Sequence, residues 1–166
     1  MPLNLEIKIQ LDSHESALTV LNNLPAEFVK DINQKDIYYT LPGSLLKLRV
    51  EDEGESLIKY NRDEVNPDRF SDYNVIYLKS SGSEQFFNSI FTVETIVTKK
   101  RSLYLYNNTR IHLDTVKTLG TFMEFETLVI NGMDDARQRF KFLINKFEID
   151  TTKQIKCSYR DLMLKL

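Results

Sequence analysis

The chain has 166 residues, 42% hydrophobic and 28% charged, with a formal net charge of −2. That length suits one domain with one core, and the near-zero charge advertises neither nucleic acid nor an acidic membrane, so any basic site must be local and offset by acids. A single cysteine, Cys157, excludes an internal disulfide; with no signal peptide and no apolar run near the ~18–20 residues of a bilayer span, a cytoplasmic location is expected.

Leu3–Leu11 ("LNLEIKIQL") alternates apolar and polar residues, the pattern of a half-buried strand. "DSHESALTVLNNLP" then changes period: Ala17, Leu18, Leu21 and Leu24 recur at helical spacing, Ser13 is the expected N-cap and Pro25 closes the helix. "FVKDINQKDIYYTL", "SLLKLRVE" and "SLIKYNRDE" read as strands, with turns at Pro42-Gly43 and Glu53-Gly54. Asn66–Asp72 reads as a loop, "YNVIYLK" as a strand, and Ser81–Phe91 as a short helix capped by Ser83. "VTKKRSLYLYNNTRIHLDTVKTLGTFMEFE" (Val97–Glu126) holds three strands. Met133–Phe147 is an amphipathic helix with acids first and bases later, matching the helix dipole, and "SYRDLMLKL" is expected to be helical. Strands joined by short turns with few helices predict an antiparallel α+β fold, with residues 1–166 as a single domain.

Residues two apart on a strand share a face. One face collects Asn4, Glu6 and Lys8; Lys47 and Arg49; Lys59 and Asn61; Lys99 and Arg101; Arg110, His112 and Asp114; and Glu124 and Glu126. The opposite face is apolar. Such alternation also describes a sheet with one wet face. Against that reading, the bases recur in clusters and the acids in separate pairs, whereas a solvated face is usually Ser, Thr, Gln and scattered charge. If the sheet curls so that the ionic face turns inward, Lys8, Lys47, Arg49, Lys59, Lys99, Arg101 and Arg110 suit a chain of phosphates. Glu6, Asp114, Glu124 and Glu126 then supply hard oxygen ligands for Mg2+ or Mn2+.

"LEIKI", "QKDIYY", "LLKLR", "LIKYNR", "VTKKR", "IHLDTVKTLGTFMEFE" and "SYRDLM" follow one another in an order that resembles the CYTH superfamily, the triphosphate tunnel metalloenzymes, across essentially the whole chain. The resemblance implies an eight-stranded antiparallel β-barrel with helices packed outside. It also implies a triphosphate held by basic residues and a divalent metal held by acidic ones. Carried over by match, Glu6, Glu124 and Glu126 are metal-side residues with Asp114 nearby; Lys8, Lys47, Arg49, Lys99 and Arg101 are phosphate-side residues, with Lys59 and Arg110 added. Glu6, Lys8, Glu124 and Glu126 form the expected catalytic set. Two positions depart from the family pattern. Asn4 stands where the opening motif has a Glu, and Asn61 follows Tyr60 where many members carry Lys, with Arg62 next to it.

The expected activity is metal-dependent hydrolysis of a triphosphate such as tripolyphosphate, ATP or thiamine triphosphate. Two alternatives stand beside it: a class IV adenylyl cyclase, which forms cyclic AMP and pyrophosphate from ATP, and a non-catalytic binder of polyphosphate or nucleotide. No His-Phe pair precedes the opening motif, unlike in some cyclases of this class. Neither a membrane nor nucleic acid is an expected partner, and monomer and homodimer both stay open. His112 is read as satisfying a neighbouring acid, His14 as an exposed first-turn residue and Cys157 as structural. Tyr38, Tyr39, Tyr60, Tyr104 and Tyr106 are candidates either for base stacking or for packing. No Gly-rich Walker loop is present.

Overall fold

The structure, a computed structural model, describes residues 4–62, 71–79 and 82–166. The loop read at Asn66–Asp72 falls largely outside the described residues, as do the side chains of Tyr60, Asn61 and Arg62. In chain order the elements are β1 (Asn4–Leu11), α1 (Glu15–Asn22), β2 (Glu27–Tyr39), β3 (Leu45–Glu51), β4 (Gly54–Arg62), β5 (Ser71–Leu78), α2 (Ser83–Ile90), β6 (Val93–Tyr106), β7 (Thr109–Val116), β8 (Gly120–Leu128), α3 (Met133–Lys146) and α4 (Tyr159–Met163). A 3-10 turn, Thr151–Lys153, precedes α4. The eight strands form one sheet in the order β1-β8-β7-β6-β2-β3-β4-β5. β1 with β8, β7 with β8, and the run from β2 to β5 all pair antiparallel, so the expected α+β class is what the chain adopts. β1 and β5 end the hydrogen-bonded order, which is not closed among the described residues. No helix is long and apolar enough to cross a membrane among those residues.

Local chemistry sets the turns. Asn107 and Asn108 form the two-residue loop between β6 and β7, both at positive φ (44° and 57°), the twist that a tight hairpin between right-twisted strands requires. Glu51 pairs with Gly54, so the β3–β4 loop is Asp52-Glu53, one residue earlier than read from sequence. The helix starts also shift by one. His14 occupies the N-cap of α1, while Ser13 accepts the Glu15 N–H through its hydroxyl (3.3 Å). α2 is capped by Gly82 at φ 92°, a left-handed conformation that Ser83 would adopt only with strain.

The chain divides into two units, Met1–Ile32 with Lys100–Ser158, and Asn33–Lys99 with Tyr159–Leu166. In the first, Ile7 and Ile9 of β1, Ile111 and Leu113 of β7, and Met123 and Phe125 of β8 present one apolar face, covered by Ala17 and Leu21 of α1 and Leu143 of α3. Arg139 docks α3 by donating to the Asp135 carboxylate and to the Asn107 and Leu128 carbonyls (3.0 and 2.8 Å). In the second unit Ile37, Tyr39, Leu46 and Leu48 are buried against Phe87 and Phe91. Tyr39 is fully buried and its hydroxyl donates to Asn88 (2.9 Å), Tyr104 packs on Phe28 and Tyr106 on Phe142, so these three tyrosines serve packing.

Candidate functional site

The register of the first unit builds two charged rows across three strands. Glu6 of β1 lies opposite Glu126 of β8, which lies opposite Arg110 of β7. One step along, Lys8 lies opposite Glu124, itself opposite His112. Opposed residues share a face, so acids and bases meet on the side of the sheet away from the apolar core. That side is not a wet face: Asp114 is 0%, His112 4% and Glu124 9% exposed. Charges this deep persist only when paired, and here they are. Lys8 Nζ lies 3.2 Å from Glu124 Oε1, Arg101 Nη2 2.9 Å from Glu124 Oε2, and Arg110 Nη2 2.6 Å from Glu126 Oε2.

Asp114 stands apart from the other acids. Arg101 grips both of its oxygens, Nε on Oδ1 and Nη2 on Oδ2, each at 2.7 Å. Expected as a metal ligand, it instead forms a bidentate pair that orients Arg101. In its place His112, expected merely to satisfy an acid, joins Glu124 and Glu126. Each of the three offers a ligand atom, and these atoms lie within 4.8 Å of one another. His112 Nδ1 is 3.7 Å from Glu124 Oε2 and 3.9 Å from Glu126 Oε1, too far for a hydrogen bond, and it is buried without a partner. Burial and the Arg101 charge hold the ring's pKa below its usual value against the pull of the two glutamates, which keeps the imidazole neutral near pH 7. The donor set fits a divalent cation: two carboxylates and an orphaned ring nitrogen converge on one point.

Glu6 is reached by water yet surrounded by protein. That loss of solvation, then the charges of Glu126 and Glu124, push its carboxyl above the usual 4.5, while Lys8 and the Asn4 amide, which donates to Glu6 Oε1 (3.0 Å), pull it back. The ionised form binds metal, so protons compete at Glu6 to a higher pH than at an ordinary glutamate. Metal affinity measured by calorimetry is therefore expected to keep climbing with pH above about 4.5, and Glu6→Gln is expected to flatten that climb.

The second unit carries its own basic cluster. Asp36, opposite Arg49 on β3, receives Arg49 Nε (2.7 Å), Arg49 Nη2 (2.8 Å) and Lys47 Nζ (3.1 Å). Burial would raise the Asp36 carboxyl, but Lys47, Arg49 and Lys99 together outweigh it and hold it far below the carboxylate range. Lys99, 7% exposed, lies over the Tyr159 ring at 5.0 Å, and Lys47 over Tyr38 at 5.5 Å. Sequence reading missed Asp36, although its alternation with Gln34 and Tyr38, all three buried, carried the signal.

Lys59 needs correction. It pairs with Leu46, not with Lys47 or Arg49, because a two-residue hairpin sets odd positions of β4 opposite even positions of β3, and Ser56 and Ile58 lie opposite Arg49 and Lys47. Lys59 is thus exposed on the other face. Lys59→Ala is expected to leave tripolyphosphate affinity within about twofold of wild type, whereas Arg101→Ala weakens it by at least about tenfold; titration calorimetry separates the two. His14, too, differs from expectation. Its Nε2 sits 3.1 Å from the Asp114 carbonyl and 3.2 Å from that of Phe122, fixing α1 to the strands that carry the acids.

Relatives place this arrangement. A candidate adenylate cyclase of Methanocaldococcus jannaschii is 24% identical over 96% of this chain and 98% of its own length. Among solved structures, the PH1012 protein of Pyrococcus horikoshii superposes with a TM-score of 0.80 at 19% identity, covering 96% of this chain and 99% of that one. A candidate adenylate cyclase of Vibrio parahaemolyticus gives 0.73 at 20% identity, covering 98% of each. At such identities the superpositions speak for the fold alone. The CYTH domain family model, however, matches residues 3–159. With nearly its whole length so matched, the chain belongs to the CYTH domain family.

Proposed function

We propose that this chain is a divalent-metal-dependent triphosphatase, cleaving an inorganic or organic triphosphate. The observation that carries the reading is the pair of rows, Glu6–Glu126–Arg110 and Lys8–Glu124–His112, in which carboxylates stand beside bases, Lys8 at 3.2 Å from Glu124 and Arg110 at 2.6 Å from Glu126. A pure anion binder uses carboxylates only to orient its bases, and any others repel its ligand. A metal-assisted phosphoryl-transfer site needs both.

In this reading Glu6, Glu124 and Glu126 hold Mg2+ or Mn2+. When bound, the ion supplies positive charge to the phosphate oxygens as negative charge develops on them. Lys8, Arg101 and Arg110 bind phosphate oxygens from the same face, and Lys47, Arg49 and Lys99 are the further phosphate-binding residues by family resemblance. The carboxylates pre-orient these cations before substrate arrives. Asp114 fixes the plane of Arg101, and Asp36 does the same for Arg49, so little conformational entropy is lost on binding. The rate gain comes from positioning and electrostatic stabilisation rather than a protein nucleophile.

The names of the Methanocaldococcus and Vibrio relatives favour one second reading, an adenylyl cyclase in which a ribose hydroxyl replaces water as nucleophile. Purified protein offered tripolyphosphate, thiamine triphosphate and ATP with Mg2+ or Mn2+ decides between them. Orthophosphate release is the expected result. Cyclic AMP with pyrophosphate establishes the cyclase, and tight binding without any product leaves a receptor.

A further inference from the structure

We infer that the metal centre of this chain is a nitrogen–oxygen site with His112 Nδ1 as a ligand, built for a borderline later first-row ion such as Co2+ or Zn2+ rather than for Mg2+. The inference rests on the reading that the acidic rows hold a divalent metal, and goes beyond it in naming the donor set and the class of ion.

Two oxygen donors that an all-carboxylate site would use are diverted. Position 4 is an asparagine whose amide donates to Glu6 Oε1 at 3.0 Å, so its nitrogen faces the neighbouring acid. Asp114 has both oxygens on Arg101 at 2.7 Å and no exposed surface. His112 then supplies what is lacking. Its side chain is 5% exposed, and its Nδ1 points between Glu124 Oε2 and Glu126 Oε1 at 3.7 and 3.9 Å without hydrogen-bonding to either. A buried ring nitrogen left unpaired is costly, so such a group calls for an explanation. Two ligand atoms on a tetrahedral ion at ordinary bond lengths are ~3.4 Å apart. The two His112 spacings exceed this by a few tenths of an ångström, and with all three ligand atoms within 4.8 Å of one another the side chains have only to close on the ion.

The cations around the site are compatible with this role. Arg101 Nη2 touches Glu124 Oε2 at 2.9 Å, but a carboxylate oxygen has two lone pairs and can accept that N–H while donating the other pair to a metal. Arg110 holds Glu126 through Oε2, not through the Oε1 that faces His112. Lys8 Nζ lies 3.2 Å from the other oxygen of Glu124, Oε1. The contacts therefore orient the ligand oxygens from outside, as outer hydrogen bonds do in metal centres. Imidazole favours the later first-row ions, whereas Mg2+ prefers oxygen and keeps its waters.

The test uses the full chain and metal alone. Electron spin echo spectroscopy of the Mn2+-loaded protein is expected to show a coupled 14N nucleus, absent in His112→Gln. By calorimetry, His112→Gln and His112→Ala are each expected to weaken Zn2+ and Co2+ binding by at least about tenfold and to shift Mg2+ affinity by no more than about twofold. Because the nitrogen signal is read on the unaltered protein, the inference does not depend on either variant folding. Bound Mn2+ without nitrogen coupling overturns it, as does an equal loss of Mg2+ and Zn2+ affinity in the variants. Triphosphate cleavage in Mg2+ together with either result sinks this inference and leaves the proposed function standing. Failure of Mg2+, Mn2+, Co2+ and Zn2+ all to bind overturns the inference and the metal role together.

Discussion

Glu126→Gln is expected to lower triphosphate turnover by about 10²–10³-fold while leaving the fold intact or slightly more stable. The activity loss follows from removing one full charge at the centre of the upper row, where Glu126 faces Glu6 on one strand and Arg110 on the other. Stability moves the other way because Glu6 and Glu126 are like charges directly opposed across an antiparallel pair, a destabilising arrangement that glutamine relieves. Glutamine keeps an oxygen for Arg110, so the 2.6 Å contact has a neutral substitute. Steady-state kinetics and thermal melting on one preparation read both effects. In a simple anion receptor the same substitution strengthens tripolyphosphate binding, so calorimetry on the variant separates an enzyme from a binder.

Asp36→Asn is expected to cost about 3–5 kcal/mol, because it removes the buried carboxylate that Lys47 and Arg49 share. For a chain of this length that corresponds to a fall in melting temperature of roughly 6–20 °C. The pH dependence carries a sign. The folded carboxyl is depressed below its ordinary 3.8, so its contribution is fully present above that value and is lost as pH falls below it towards the folded pKa. The variant lacks the titrating group, and its stability is expected to fall less steeply than that of the wild type below about pH 4. Equal acid limbs in the two proteins would show that Asp36 is not held ionised by its neighbours.

Much of the fold was legible because strand periodicity is a local signal. The alternation in Leu3–Leu11 and in Ile111–Asp114 identifies strands with one apolar face, and those apolar residues are the ones buried against α1 and α3. Turn positions were less legible. Whether Glu53-Gly54 or Asp52-Glu53 makes the β3–β4 hairpin depends on which carbonyl and amide pair across the strands. Lys59 was misplaced because a two-residue hairpin sets odd positions of β4 opposite even positions of β3, which puts it on the Leu46 face and not on that of Lys47 and Arg49. His14 was misread because its partners, the Asp114 and Phe122 carbonyls, come from strands about a hundred residues away.

The sequence by itself determined the strand periodicity, the two faces, the presence of Glu6, Lys8, Arg101, Arg110, Glu124 and Glu126 on the ionic one, and membership of a family that handles triphosphates. Only the tertiary structure decided which acid meets which base. Asp114 and Glu124 share a charge and a face, yet one is locked by Arg101 while the other stands beside an unpartnered histidine nitrogen. Alternation says which way a side chain points, not what it meets, because cross-strand register is a long-range property. An ion pair or a metal centre is decided by differences of an ångström between atoms that the chain brings together only on folding.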